Sequence, residues 1–433
     1  MRYKIGHGKS MNSATGTYPA VEIDYRKTNN GHTAIIGGSG VGKTYQLNKL
    51  VNSVSSDAPN VRMHVFDVHG DVKTSQGSRV DFSASTPYGL NPLTIDPDPH
   101  YGGVHRRIAQ FIKMINAGGK LGVKQEATLR KLLIDLYALN GFKANEPQTW
   151  DIRLHTNKRH KVPTISDLLR FTEFHIRQLK TGTGSEAYHA LKNVEKTVKS
   201  LNRKKKQANA STATDKDIDQ LEAAKLKAKE TYNSYIDTIQ SGEELDDIIA
   251  FDNIDNLTSL LQRIQNLDAA GIFKDVPPPF NDNCPAWEYD IKALTTDEQR
   301  MFVEVSLNYI FQHAKAEPHT KYPRRFIILD EAHKYLSKDP DNIINVIVRE
   351  GRKFGIALIL ISQELKDFPT TIITNTAVKI ILGVDEYYHD QCSRKLNLAR
   401  ARLASIRPRN SALVQIKSPA STENSYLDVT LAA

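Results

Sequence analysis

Thr33-Ala-Ile-Ile-Gly-Gly-Ser-Gly-Val-Gly-Lys-Thr44 decides how the chain is read. Its first five residues are apolar or β-branched and end on glycine, which is how a strand buried on both faces reads. The next residues, Gly37 through Thr44, spell G-x-x-x-x-G-K-T, and a helical pattern follows from Lys43 to Val54. A second strand pattern, Val61-Arg-Met-His-Val-Phe-Asp67, completes a βαβ unit whose crossover is expected to be right-handed. A triphosphate needs backbone N–H groups that converge on its oxygens at a helix N-terminus, and glycines permit that approach. Gly37, Gly38, Ser39, Gly40, Val41, Gly42, Lys43, Thr44 and Tyr45 are therefore the candidate nucleotide-binding stretch. Lys43 is expected to reach the β- and γ-phosphates, and the Thr44 hydroxyl to ligate Mg²⁺.

Outward from this loop, a second α/β block opens near Trp287-Glu-Tyr-Asp-Ile291. It continues through a helix at Asp297–Ala314 and strands at Phe326–Asp330, Ile356–Ser362 and Val378–Val384. Phe326-Ile-Ile-Leu-Asp330-Glu331 is an apolar strand ending in two acids. Asp330 is placed to hold Mg²⁺ through water, and Glu331 to polarise an attacking water as general base. Gln363 closes the next strand, beside the nucleotide if that strand neighbours the first, where it can orient water or sense the γ-phosphate. Asp67 ends its strand too, and either supports the metal or shapes the loop Asp67-Val-His-Gly-Asp71. Arg349 and Arg352, in Arg-Glu-Gly-Arg-Lys-Phe-Gly355, fall before the Gln363 strand and away from their own P-loop. A guanidinium there suits a neighbouring subunit's γ-phosphate.

Between the blocks the pattern turns helical. His105–Ile115, Gln125–Leu139 and Ile254–Leu267 carry apolar residues at helical spacing, the last through Leu257, Leu260, Leu261 and Ile264. Lys192–Lys206 and Asp215–Glu230 read as a helical hairpin with a soft tip at 208–214. The expected organisation is an α/β P-loop NTPase core in two parts, 1–103 and 277–433, around an all-α insertion at 104–276.

Composition narrows the partners. The chain has 433 residues, 39% hydrophobic and 25% charged, which excludes wholesale disorder and collagen-like repeats. Only Cys284 and Cys392 occur, so a disulfide framework is excluded and a reducing, cytoplasmic location is expected. No apolar run approaches the roughly 20 residues of a membrane-spanning helix. Lys and Arg number 58 against 49 acids, a net charge of +9 that favours a polyanionic partner. Two places are candidates for phosphate contact: Lys73 and Arg79, read as lying in the loop Gly70–Arg79, and the run Arg203-Lys-Lys-Lys206.

The order of these motifs resembles the HerA/FtsK superfamily of ring-forming ATPases, and most of all HerA and its conjugation-ATPase relatives. The residues that carry it are Gly37–Thr44, Asp67-Val-His-Gly70, Gly89-Leu-Asn-Pro-Leu93, Asp330-Glu-Ala-His333, Arg349–Gly355 and Ser362-Gln363. The resemblance implies a RecA-like core, a homo-oligomer that is a hexamer, ATP bound between subunits, and double-stranded DNA threaded through the pore. It assigns Lys43, Thr44, Asp330, Glu331 and Gln363 to act in cis and Arg352, with Arg349 second, in trans. The family's β-barrel before the P-loop has at most the short strand Ala20–Tyr25 as a counterpart here. Two functions fit: a motor that translocates or unwinds duplex DNA, and an ATPase platform that docks an effector nuclease, an antiviral defence enzyme or a conjugation or secretion channel.

Overall fold

A computed structural model describes residues 1–10, 17–117, 119–152, 160–181, 184–208, 215–237, 254–419 and 425–432. The chain forms two compact units, 1–91 with 270–433, and 92–269. Among the described residues no helix is long and apolar enough to cross a membrane.

The first unit is built on one sheet. Its strands are β1 (Arg2–Gly8), β2 (Ala20–Asp24), β3 (Thr33–Gly37), β4 (Arg62–Asp67), β5 (Gly77–Asp81), β6 (Ala286–Asp290), β7 (Arg325–Leu329), β8 (Ile356–Ser362), β9 (Val378–Gly383), β10 (Ser411–Ile416) and β11 (Leu427–Leu431). They lie in the order β2-β1-β11-β10-β9-β3-β8-β7-β4-β6-β5. From β9 to β5 every pairing is parallel, and from β9 to β2 every pairing is antiparallel. This is the expected RecA-like α/β core.

Burial explains which strands a sequence reveals. Every residue of β3, β8 and β9 is buried, because helices cover both faces of a parallel sheet, and apart from Thr33, Ser362 and Lys379 their sequences are apolar. In β1 and β2 the burial alternates, with Tyr3, Ile5, Val21 and Ile23 inward and charged residues outward. Ala20–Asp24 is thus an edge strand of the main sheet, paired with β1, and not a remnant of a separate barrel. The helix Lys43–Asp57 lays Leu47, Leu50, Val51 and Val54 on one face of this sheet, against Tyr3, Ile5 and Ile35. On the aromatic side Phe66 stacks on Tyr289 at 4.5 Å, and Phe302 of the helix Thr296–Ala316 packs 4.5 Å from Phe82. That helix begins with a capping box: the Thr295 side chain accepts from Glu298 N, and Glu298 Oε2 accepts from Thr295 N at 2.7 Å.

The second unit contains the helices Val104–Ala117, Val123–Leu139, Ile165–Thr181, Gly184–Ala208, Asp215–Ile236 and Ile254–Ala269, and no strand among its described residues. Leu129, Leu132, Leu133, Leu257, Leu260 and Ile264 are buried. Gly184–Ala208 and Asp215–Ile236 pack along one another as a hairpin. Residues 209–214 of its expected tip lie outside the described residues. The unit spans 92–269 and not the 104–276 read from composition. Residues 272–276 are knitted into the first unit instead, through Leu90 N to Ile272 O at 3.1 Å and Gly89 N to Val276 O at 2.9 Å.

Lys379 sits where the parallel and antiparallel parts of the sheet meet. It is 2% exposed, and its Nζ donates to Thr376 O at 2.9 Å and Gln415 Oε1 at 2.8 Å. Burial, aided by Lys417, lowers its pKa from 10.5 to about 7. Between those values the unfolded chain holds this proton and the folded chain does not, so stability rises with pH by at most about 1.4 kcal/mol per unit. Lys379→Met should flatten that rise, as read by denaturant unfolding between about pH 7 and pH 10.

Candidate active site

The ladder register aligns the chemistry. Ile36 of β3 lies beside Ser362 of β8, Leu329 of β7 beside Leu360, and Phe66 of β4 beside Leu329. Gly37 and Asp67, which end their strands, and Asp330 and Gln363, which follow theirs, consequently emerge at one end of the sheet. There a cleft of about 870 Å³ opens.

The loop at its floor adopts a backbone that only glycine takes without strain at two positions, Gly40 (φ 74°) and Gly42 (φ 99°). An added Cβ at Gly38 or Gly40 would meet nothing within 4 Å, so the space over the loop is open to a ligand. The helix Lys43–Asp57 has no side-chain cap and no acid in its first turn, leaving its N-terminal N–H groups for an anion. Lys43 Nζ donates to Gly37 O at 2.9 Å and Gly38 O at 2.8 Å. Partial burial lowers its pKa even though Glu331 and Asp330 oppose that shift.

Across the cleft stand the two acids. Glu331 is 6% exposed and in the left-handed region, at φ 47°. Its Oε1 accepts from Gln363 Nε2 at 3.0 Å. Oε2 lies 3.1 Å from His333 Nδ1 yet lacks an aligned hydrogen bond. Glu331 lines the cleft, and a carboxylate placed there is suited to take a proton from water. Asp330 has its pKa pushed up to about 6 by burial and then by Glu331. With the Thr44 hydroxyl beside it on the cleft wall, the donor set is hard oxygen, which fits a divalent cation such as Mg²⁺.

Asp67 resolves differently. Its Oδ1 accepts from His69 N at 3.1 Å and Gly70 N at 2.8 Å, and its Oδ2 from Val72 N at 2.9 Å, so it shapes the loop. That loop is pinned further by Asn48, which accepts from Lys73 N at 3.0 Å, and by Asn52, which accepts from Ser75 N at 2.8 Å. The Lys73 side chain is exposed. Arg79 is not in the loop: it lies on β5, where Asp290 and, at 3.6 Å, Asp81 hold its guanidinium. The proposed pair of backbone cations therefore reduces to Lys73. Arg203 and Lys205 are exposed on the hairpin helix Gly184–Ala208.

The structure does not bring Arg349 or Arg352 to this cleft. Both are exposed around the junction of the helix Ile343–Glu350 with a 3-10 turn, just before β8 begins. Gln363 follows the other end of that seven-residue strand, about 20 Å away at roughly 3.3 Å per residue. Several further residues line the cleft. His69 and Asp71 belong to the quoted stretch Asp67–Asp71 but had no role assigned from the sequence, and Arg409, Asn410, Leu431 and Ala432, from the antiparallel end of the chain, carried no signal at all. Isolated residues with no motif spacing are brought to the cleft only by strand order.

A family described as helicase HerA, central domain, matches residues 4–266. The DNA double-strand break repair helicase HerA of Sulfurisphaera tokodaii is 41% identical over 64 residues, 14% of this chain and 13% of that protein. A probable DNA double-strand break repair helicase HerA of Methanocaldococcus jannaschii is 33% identical over 108 residues, 23% of this chain and 21% of its own. These matches span 13% and 21% of the length of the two relatives. Among solved structures, VirB4 of Thermoanaerobacter pseudethanolicus covers all of this chain and 96% of its own, with a TM-score of 0.64 and 15% identity. Plasmid coupling protein TrwB, solved with ADP and Mg²⁺, covers 100% and 94% with a TM-score of 0.53 and 12% identity. Likenesses at these identities establish a shared fold. The family match, by contrast, runs through more than half of the 433 residues, and the chain belongs to the HerA helicase central-domain family.

Proposed function

We propose that the chain is a Mg²⁺-dependent ATPase that works as a closed ring, a hexamer, and translocates or unwinds double-stranded DNA. The observation that carries the ring is the position of Arg352 and Arg349, exposed and about a strand length of 20 Å from their own cleft. A γ-phosphate arginine placed there serves only a neighbour, and a head-to-tail contact repeated by rotation closes a ring. Family membership and the net charge of +9 support DNA as the polyanion. In this reading the α/β unit is the motor core and the helical unit an insertion in it.

Within one subunit Lys43 and the loop N–H groups bind the β- and γ-phosphates, and Thr44 and Asp330 hold Mg²⁺. The cation, when bound, neutralises phosphate charge. Glu331 takes the proton of the attacking water, while Gln363, bonded to Oε1, fixes the carboxylate and orients that water. Glu331→Gln should keep nucleotide binding and lose about 10²–10⁴-fold in hydrolysis, measured by phosphate release. Lys43→Ala should lose nucleotide binding itself. Near-normal turnover in Glu331→Gln would refute its role as base.

The ring and the DNA are tested separately. Arg352→Ala and Lys43→Ala subunits, each inactive alone, should recover activity when mixed, because some interfaces then pair an intact loop with an intact arginine. No recovery in rings shown by native mass spectrometry to be mixed would make the arginine a cis or structural residue. Duplex DNA should stimulate hydrolysis and lose that effect steeply with salt, as release of condensed counterions requires. Lys73→Ala should weaken binding about equally for all sequences. ATPase activity indifferent to DNA would favour a platform that docks an effector nuclease, a defence enzyme or a secretion channel.

A further inference from the structure

The cleft has two ends, set by the neighbours of β3. On the β8 side are Glu331 and Gln363, and on the β9 side is a cluster that no motif announces. It comes from the turn Arg407-Pro-Arg-Asn410 before β10 and from the residues at the end of β11. Arg409 is held in the left-handed region at φ 66°, one of three non-glycine residues in the described chain with positive φ; another is Glu331. Strain of this kind persists where surrounding structure imposes it, and it gathers at functional sites. Arg409 Nε donates to Gly40 O at 2.9 Å, which lashes the turn to the phosphate loop.

That bond uses one of five guanidinium donors. Among the described residues no carboxylate pairs with Arg409, which is exposed and lines the cleft. Asn410, whose backbone carbonyl accepts from Leu431 N at 2.9 Å, is exposed and lines the same cleft. Tyr45, on the first helical turn, is 53% exposed beside them. An unpaired arginine fork, an amide and an aromatic ring are groups that bind a phosphate, a sugar hydroxyl and a base.

We infer that this end is the nucleoside subsite, with Arg409 binding the nucleoside half of the nucleotide in cis, at its α-phosphate. The assignment rests on the ATPase reading. Lys43, Glu331 and Gln363 mark where the γ-phosphate lies, and a triphosphate following the loop leaves its nucleoside at the opposite end. The cleft, about 870 Å³, is within the roughly 300–1,000 Å³ of small-molecule sites.

The test is the affinity of fluorescent ADP and of a non-hydrolysable fluorescent ATP analogue for the full chain. Arg409→Ala and Arg409→Gly should weaken both about tenfold and to the same extent, and Arg409→Lys less. The glycine variant also relieves the left-handed backbone, so a melting temperature at or above wild type shows that the loss is not unfolding. Loss of the ATP analogue alone would make Arg409 a γ-phosphate sensor and overturn the inference. Unchanged affinity for both would leave only a structural latch and overturn it too. Wild-type chain that binds neither nucleotide would instead refute the ATPase reading on which it rests.

Discussion

The parallel ladder in which β8 lies between β3 and β7 is the constraint on which the site depends. A parallel strand cannot slip by one residue without turning its buried side chains to the opposite face. Because the buried residues of β3, β7 and β8 are apolar except for Thr33 and Ser362, their register is held by the core on both faces. With the ladder fixed, the residues just after each strand emerge together, and the loop, the acids and the glutamine need no contact of their own to find one another. This is the general behaviour of open α/β sheets, which bind ligands outside the carboxyl ends of their strands.

The same arrangement concentrates strain and unpaired polarity where the chemistry would be. Glu331 is buried, left-handed and incompletely hydrogen-bonded, a combination that costs about 1–3 kcal/mol in backbone strain alone. Gln363 offsets part of this by donating to Oε1. Asp330, beside it, has its pKa raised by burial and by its neighbour's charge. A carboxyl group whose ionisation is opposed by burial and by a neighbouring acid is well matched to a divalent cation.

The antiparallel half of the sheet contributes in another way. β10 and β11 add no burying helix crossover, but they carry the turn at Arg409 and the residues Leu431 and Ala432 to the far wall of the cleft. The sheet therefore supplies both walls, the parallel strands the acids and the antiparallel ones the cationic and amide groups. Gly355 shows why the stretch before β8 is written as it is: at φ 70°, a Cβ there would lie 2.5 Å from Thr320 Cγ2.

Some of this was legible before any coordinates. The phosphate loop, the acid pair, the glutamine and the strands that carry them follow from local signals, since continuous apolar runs, glycine spacing and a strand-terminal Asp-Glu each act over a few residues. The helical character of the middle of the chain was equally local. The edge strand β2 was legible as the short strand Ala20–Tyr25, whereas its neighbour β1, which alternates charged and apolar residues and ends on glycines, was not. Arg79 looked like a loop cation until β6 paired with β5 and placed Asp290 against it. Asp67 had two readings until the amides of residues 69, 70 and 72 folded around it. Arg409 had none, since its meaning comes from contact with Gly40, 369 positions away. The sequence by itself determined which groups would line the cleft from the central strands, as those are specified by their immediate neighbours. Only the tertiary structure decided which charges are neutralised and which remain free, because a partner's distance in space is set by strand order and register and not by separation along the chain.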